Sequence, residues 1–548
     1  MKKLIAMLLA VVMVFALCAC GEETLTADSA SLPAAAPAGK QLTVQIGSGP
    51  ETLDPALCST VDGSNMLLHL FEGLLTLDQS GEPAPGCAES WQISEDGLTW
   101  SFYLREGLKW SDGSGLTADD FVYSWKRVAD PETAAPDAAT LLRNVKGFAE
   151  AQSGDVDALA VSAPDAWTFV VELSAPCPCF DSLAASTVLS PVQQATIEAN
   201  GNAWAETPAT YVCNGPFCMS QWLDDGYIVT AKNPSYRNAD AIRLDSIRWL
   251  LLSDADAAYS AYRDGEAMLI RSVPAEEIPA LLDSGELFVE PIIGTCFISL
   301  NNSIEPFDDP DLREALSLAI DREYLAGVLL QNLYSPAYNF VGPGWADPLG
   351  GEFMANANGG EPYISDDFDA NLARARELMQ KAGYSGEAGA DDLQITYSTN
   401  DGAFHEILAE YLRSAWAEIG VQLQVDVVEW ARFTPMLHAG DYETARSSWI
   451  GDCSDPANIL DSLCSGSGSN IGKYSSPDYD DQMELAHSTA DAQIRSEALH
   501  AAEDIMMAES ACIPVVYGTD CWLQDPALTG IWHDAYGCWY FMYADIAE

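Results

Sequence analysis

Between Leu393 and Glu429 the apolar positions change period twice. LQITYST alternates apolar and polar, AFHEILAEYLRSAWAEIG repeats at helical spacing and closes on Gly420, and VQLQVDVVE alternates again. Strand, helix and strand at this length predict a βαβ crossover, and so a parallel strand pair. The same two periods interleave elsewhere. SNMLLHLFEGLL (Ser64–Leu75) has helical spacing, whereas TWSFYLREGLKW (Thr99–Trp110) alternates, with Trp100, Phe102 and Leu104 on one face. Thr117 and Asp120 resemble a capping box ahead of the stripe Phe121, Val122, Trp125 and Val128. Asp309 and Pro310 read as N-cap and first helical residue, and Gly383 as the stop of DANLARARELMQKAGY. The pattern predicts α/β lobes, with no internal repeat of about 20–50 residues.

The first residues follow a different logic. Lys2 and Lys3 precede an apolar run from Leu4 to Leu17, which predicts an export signal over 1–19. The run is too short for a transmembrane helix of ~20 apolar residues. Leu17-Cys18-Ala19-Cys20 resembles a bacterial lipobox, which would make Cys20 the lipidated residue; a plain secretory signal is the alternative. The small, polar, Pro-containing stretch from Gly21 to Lys40 reads as a flexible tether, so residues 20–40 are expected to join anchor and body.

Charge narrows the partners. The chain has 82 acidic residues against 25 Lys plus Arg, a formal charge of −57 over 548 residues. Nucleic acid needs a basic footprint and is not an expected partner. The lipid anchor is the only expected membrane contact. Of the 14 cysteines, all but Cys18 and Cys20 lie beyond the lipobox, and outside the membrane disulfides are permitted. Cys453 with Cys464, or Cys296 with Cys453, are candidate pairs. The spacing of Cys177-Pro-Cys179 and of Cys213 and Cys218 is not that of paired zinc knuckles.

Catalytic chemistry finds little support. No histidine sits in HExxH spacing and there is no GxSxG elbow. SGSGSN (Ser465–Asn470) lacks the Walker lysine and reads as a loop. No catalytic residue, metal ligand or cofactor is expected.

Seven stretches in order carry a resemblance: LDP (Leu53–Pro55), LFEGLL (Leu70–Leu75), WSDGSGLTADDFVYSWKRVADPETA (Trp110–Ala134), NGPF (Asn214–Phe217), KNPSYRNA (Lys232–Ala239), FISLNN (Phe297–Asn302) and WIGDCSDPANILD (Trp449–Asp461). Together they resemble the extracytoplasmic solute-binding proteins of peptide ABC importers, the oligopeptide- and dipeptide-binding type, bacterial solute-binding protein family 5. The resemblance implies a periplasmic-binding-protein-like type II α/β fold, two lobes with a hinge and an extra domain inserted in the first lobe. Lobe I would comprise 41–75, 211–296 and 512–548, the inserted domain 76–210, and lobe II 297–511.

The resemblance also implies a site. Asp452 would pair with a peptide α-ammonium, Trp449 would wall a side-chain pocket, and Gly451 would let the ligand backbone approach. A turn-capping role is the alternative for Asp452. Arg446 would help neutralise a C-terminal carboxylate, with a strand-end ion pair as its alternative. Trp430 falls where such proteins place a pocket Trp, and His405 resembles a carboxylate-contacting His at a helix start, where anions are favoured. A Glu near Ser59 and a Tyr near Asp137 are absent, and another pocket Tyr is replaced around Ile270, beside Arg271, which is either a second anchor or a surface residue. The expected function is a monomeric, lipid-anchored receptor that delivers short peptides to an ABC permease and its ATPase subunits. The alternatives are a non-peptide solute (nickel chelate, haem, sugar), a signalling peptide, or an extracytoplasmic hydrolase.

Overall fold

The computed structural model describes residues 39–547 except 48, 51, 59, 80, 225, 391, 401, 452 and 490. The expected signal segment, Cys20 and nearly all of the expected tether lie outside the described residues. Among the described residues no helix is long and apolar enough to cross a membrane.

The principal strands in chain order are β1 (Gln41–Ile46), β2 (Ala88–Ile93), β3 (Thr99–Leu104), β4 (Val161–Asp165), β5 (Thr168–Glu172), β6 (Phe217–Leu223), β7 (Tyr227–Lys232), β8 (Ser246–Leu251), β9 (Leu269–Ile270), β10 (Leu287–Leu300), β11 (Leu393–Thr399), β12 (Val421–Val427), β13 (Thr444–Ile450) and β14 (Cys512–Gln524). Ten of them form one mixed sheet in the order β12-β11-β13-β10-β14-β9-β1-β8-β7-β6, with the short strand Ser335–Pro336 beside β14. The other four make a separate antiparallel sheet, β2-β3-β5-β4.

The two longest strands hold the large sheet together. β10 and β14 pair antiparallel along most of their length, with a register break between Pro291 and Thr295. On one side of the break β14 also pairs β9; on the other β10 also pairs β13. These are central strands, and CIPVVYGTDCWLQ accordingly reads as a nearly continuous apolar run.

Local expectations meet their outcomes here. β11, the helix Ala403–Ala417 and β12 form the crossover, with β11 and β12 parallel from Leu393↔Val421 to Thr399↔Val427. Gly420 turns the chain at φ +83°, where any Cβ would lie 3.1 Å from the Glu387 carbonyl oxygen. The stripe of TWSFYL is buried, Trp100, Phe102 and Leu104 all at 3% exposure or less, but the strand ends at Leu104 rather than running on to Trp110. The stretch expected to be helical through Leu75 is helical only over Val61–Leu70. Glu72 pulls the chain out of the helix: its backbone N–H donates to Asn214 Oδ1 at 3.1 Å and its carboxylate takes Arg237 at 2.6 and 2.7 Å and Tyr236 Oη at 2.7 Å.

That network brings LFEGLL, NGPF and KNPSYRNA into one buried cluster. LDP behaves likewise. Asp54 accepts from both Arg127 nitrogens, at 2.8 and 2.5 Å, and from Trp204 Nε1 at 3.0 Å. In FISLNN, Asn302 Nδ2 bonds the carbonyls of Leu300, Gly472 and Ala511. These motifs satisfy buried backbone and charge, which is costly to leave undone.

The expected disulfides do not form. Cys464 lies against Asp461, Cys296 is half-buried near Arg446, and Cys453 meets Cys179 instead; all three have free thiols. Chain proximity around one loop misled the first pairing, because Cys453 and Cys464 are separated by the short helix Ala457–Leu460.

Candidate functional site

A cleft lies where β13 and the segment after it face residues 136–144 and 176–183. It contains two chambers of 890 and 530 Å³ that share Pro136, Thr140, His438, Trp449, Ser462 and Ser469 in their walls. The combined space suits a ligand larger than a single amino acid.

The smaller chamber is built on β13 and the helix Trp430–Ala439. Trp430, Phe433, Thr434 and Leu437 line it, a helical stripe of i, i+3, i+4 and i+7. Arg446 stands on β13 opposite Ile298 of β10. Its guanidinium lies 5.2 Å from the Trp430 ring centre and 5.3 Å from that of Phe433, and its Nε donates to Asn400 Oδ1 at 2.7 Å. Cation–π contact orients the group. Burial lowers the Arg446 pKa, yet it stays protonated. Among the described residues no carboxylate lies within 4 Å of it. In so acidic a chain this leaves a half-buried guanidinium facing a chamber whose described lining holds one carboxylate, Asp137.

Trp449 walls both chambers, its Nε1 donating to Asn458 Oδ1 at 2.9 Å. Gly451 borders an adjoining 250 Å³ cavity. The room that its missing side chain leaves is taken by the protein itself: a Cβ would sit 2.8 Å from Trp345 and 3.1 Å from Ile293. Asp452 lies outside the described residues. His405 is at the start of the helix after β11, packed edge-on to Phe404, and is not among the residues lining these chambers. Arg271 borders a separate 390 Å³ cavity and donates to Asp520 from Nη2 at 3.1 Å, so its charge is already matched.

The larger chamber holds paired charges. Arg495 is doubly bonded to Asp455, at 2.9 and 3.0 Å. Arg143, from beyond the helix Ala138–Leu142, pairs with Asp461, which also takes His487 Nε2 at 2.7 Å. Burial alone would raise the Asp461 pKa, but His487 and Arg143 outweigh it and hold the carboxyl below its usual range.

Sequence reasoning missed Phe433, Leu437 and Arg143. The stripe on Trp430–Ala439 was available as spacing, but Pro435 inside it masked the helix. Arg143 carries no local signal, since its partner is more than three hundred residues away.

Residues 82–471 match the family described as Bacterial extracellular solute-binding proteins, family 5 Middle. The chain belongs to this family, a class of solute-binding proteins rather than enzymes, with the periplasmic-binding-protein fold. Among its relatives, the periplasmic oligopeptide-binding protein OppA of Salmonella typhimurium is 33% identical over 521 residues, covering 92% of this chain and 93% of the relative. The probable deoxycholate-binding periplasmic protein YgiS of Escherichia coli is 33% identical over 497 residues, 89% of this chain and 90% of that one. The crystal structure of Haemophilus influenzae OppA in complex with RPPGFSPFR superposes with a TM-score of 0.80 at 29% identity, covering 93% of this chain and 99% of the other.

Proposed function

We propose that this chain captures short peptides in the cleft and delivers them to the permease of an ABC importer, whose ATPase subunits supply the energy. The observation that carries the reading is Arg446: a guanidinium lying over two adjacent aromatic rings, facing a chamber, with no carboxylate within 4 Å among the described residues. A peptide C-terminal carboxylate meets that need. Asp452 would take the α-ammonium at the other terminus, and Trp449 and Trp430 would pack ligand side chains. Recognition through termini and backbone gives little sequence selectivity, and water in the chambers tolerates varied side chains. The division into lobe I (41–75, 211–296, 512–548), lobe II (297–511) and an inserted domain (76–210) belongs to the same proposal, as does a lipid on Cys20. The register break between β10 and β14 supports a hinge there.

The relative described as probably deoxycholate-binding favours one second reading, a carboxylated non-peptide solute. Such a ligand would also meet Arg446 but would leave Asp452 without an ammonium. Native mass spectrometry of the full chain in mild detergent, before and after gentle unfolding, separates the two. A released ladder of peptides of about two to five residues supports the peptide reading, because ligands bound to the folded state stabilise it and are retained. A single non-peptide mass would overturn it. Incorporation of labelled fatty acid that disappears in Cys20→Ser tests the anchor.

A further inference from the structure

Three thiols meet at one edge of the larger chamber. Cys177 and Cys179 lie in the CPC segment after β5, and Cys453 lies just after β13. Cys177 Sγ and Cys179 Sγ are 3.8 Å apart, and the Cys179 thiol also engages that of Cys453. Cys179 therefore has two partners. One is two residues away in its own segment; the other belongs to the opposite wall of the cleft. The Asp455–Arg495 ion pair lies beside Cys177 and Cys179. Other cysteines, such as Cys87 and Cys512, are packed singly into cores.

We propose that this triad is a thiol–disulfide relay that staples the cleft: Cys179 forms a disulfide with Cys453 across it, and Cys177 releases that bond by exchange. The proposal rests on the reading above that the cleft opens and closes around a ligand. The oxidant is a small-molecule disulfide, and the bond it forms persists in the oxidising setting outside the cytoplasmic membrane. The Cys179 thiolate attacks one sulfur of the small disulfide; that S–S bond breaks, one small thiolate leaves, and a mixed disulfide remains on Cys179. The Cys453 thiolate then attacks the Cys179 sulfur and expels the second small thiolate. Two protein thiols are oxidised to one disulfide, one small disulfide is reduced to two thiols, and the two protein protons end on the leaving groups. Release needs no further oxidant. The Cys177 thiolate attacks the Cys179 sulfur, the bond to Cys453 breaks, and Cys453 leaves as thiolate while Cys177–Cys179 forms. The contact with Cys179 and burial push the Cys177 thiol well above its ordinary pKa; burial is the part that persists once Cys179 is in the staple, and it slows release.

The test uses the full chain, incubated with oxidised glutathione, quenched in acid, alkylated and digested without reductant for peptide mass spectrometry. The expected result is a cross-linked peptide joining Cys179 to Cys453. Its share should rise about fivefold in Cys177→Ser and be replaced by a Cys177–Cys179 bond in Cys453→Ser. Two independent serine variants guard against one that fails to fold. Full alkylation of Cys453 in oxidised Cys177→Ser, which cannot release the staple, would overturn the relay. Small-angle scattering of the same samples separates this from the receptor reading. The oxidised chain should hold one compact radius and the reduced chain should include a larger one. A reduced chain that never expands, with the cross-link present, would leave the thiol chemistry standing and remove the moving cleft.

Discussion

Glu503 is fully buried on the helix Ala492–Ala508, where its Oε1 accepts from the Val341 N–H at 2.7 Å. Burial pushes its carboxyl from 4.5 up to about 8. Between those values the folded chain holds a proton that the unfolded chain has lost, so this group makes stability fall as pH rises from about 4.5 to 8 and is neutral below. Glu503→Gln keeps the acceptor and removes the titration. Thermal melts should show the variant matching wild type near pH 4.5 and exceeding it by an amount on the order of a few kcal/mol at pH 8. Arg446 is the other single residue that decides much. Arg446→Gln should cut affinity for a peptide with a free C-terminal carboxylate by about tenfold to a hundredfold, as expected for a charge-assisted pair. Affinity for the C-terminally amidated peptide should barely change. Calorimetry with both peptides reads the difference, and equal losses would show that Arg446 acts on the fold rather than on the ligand.

At the scale of elements, the sequence was clearest where periodicity and capping agreed. The helix Ala118–Ala129 begins with Asp120 accepting from the Thr117 N–H at 2.8 Å, and Phe121, Trp125 and Val128 fill the core beneath it. Asp120→Ala should cost about 1 kcal/mol in denaturant unfolding, the usual worth of such a cap. The boundaries failed where tertiary bonds override local preference, as at Glu72, or where a proline interrupts a helix that packing sustains, as at Pro435. Arg446, Trp449 and Trp430 were legible through the family resemblance and line the cleft; His405 lies off its walls, because a match in register says nothing of which way a helix end faces. Gly451 shows a different limit. The sequence marks a position that needs no side chain, but only packing reveals Trp345 2.8 Å from where a Cβ would be. Gly451→Val should therefore lower the melting temperature by several degrees, since overpacking of this kind costs about 1–3 kcal/mol.

Across the whole molecule, the ion pair of Arg143 with Asp461 ties the segment after the helix Ala138–Leu142 to the far wall of the cleft. Its carboxyl is held low, so the contact is present above its ordinary value of 3.8 and is lost only as pH falls through the depressed one. Arg143→Ala should weaken ligand affinity about fivefold at neutral pH and enlarge the radius seen by solution scattering. An unchanged radius and affinity would show that the pair does not bias closure. The sequence by itself determined the α/β class, the crossover at 393–427, the strongly acidic surface charge and the family, because periodicity, composition and ordered motifs are properties of the chain alone. Only the tertiary structure decided which thiol meets which, that Arg271 is already paired while Arg446 faces a chamber, and that residues 136–144 wall a cleft with residues beyond 449. Those facts depend on contacts between segments hundreds of residues apart, and no local pattern encodes a partner's position.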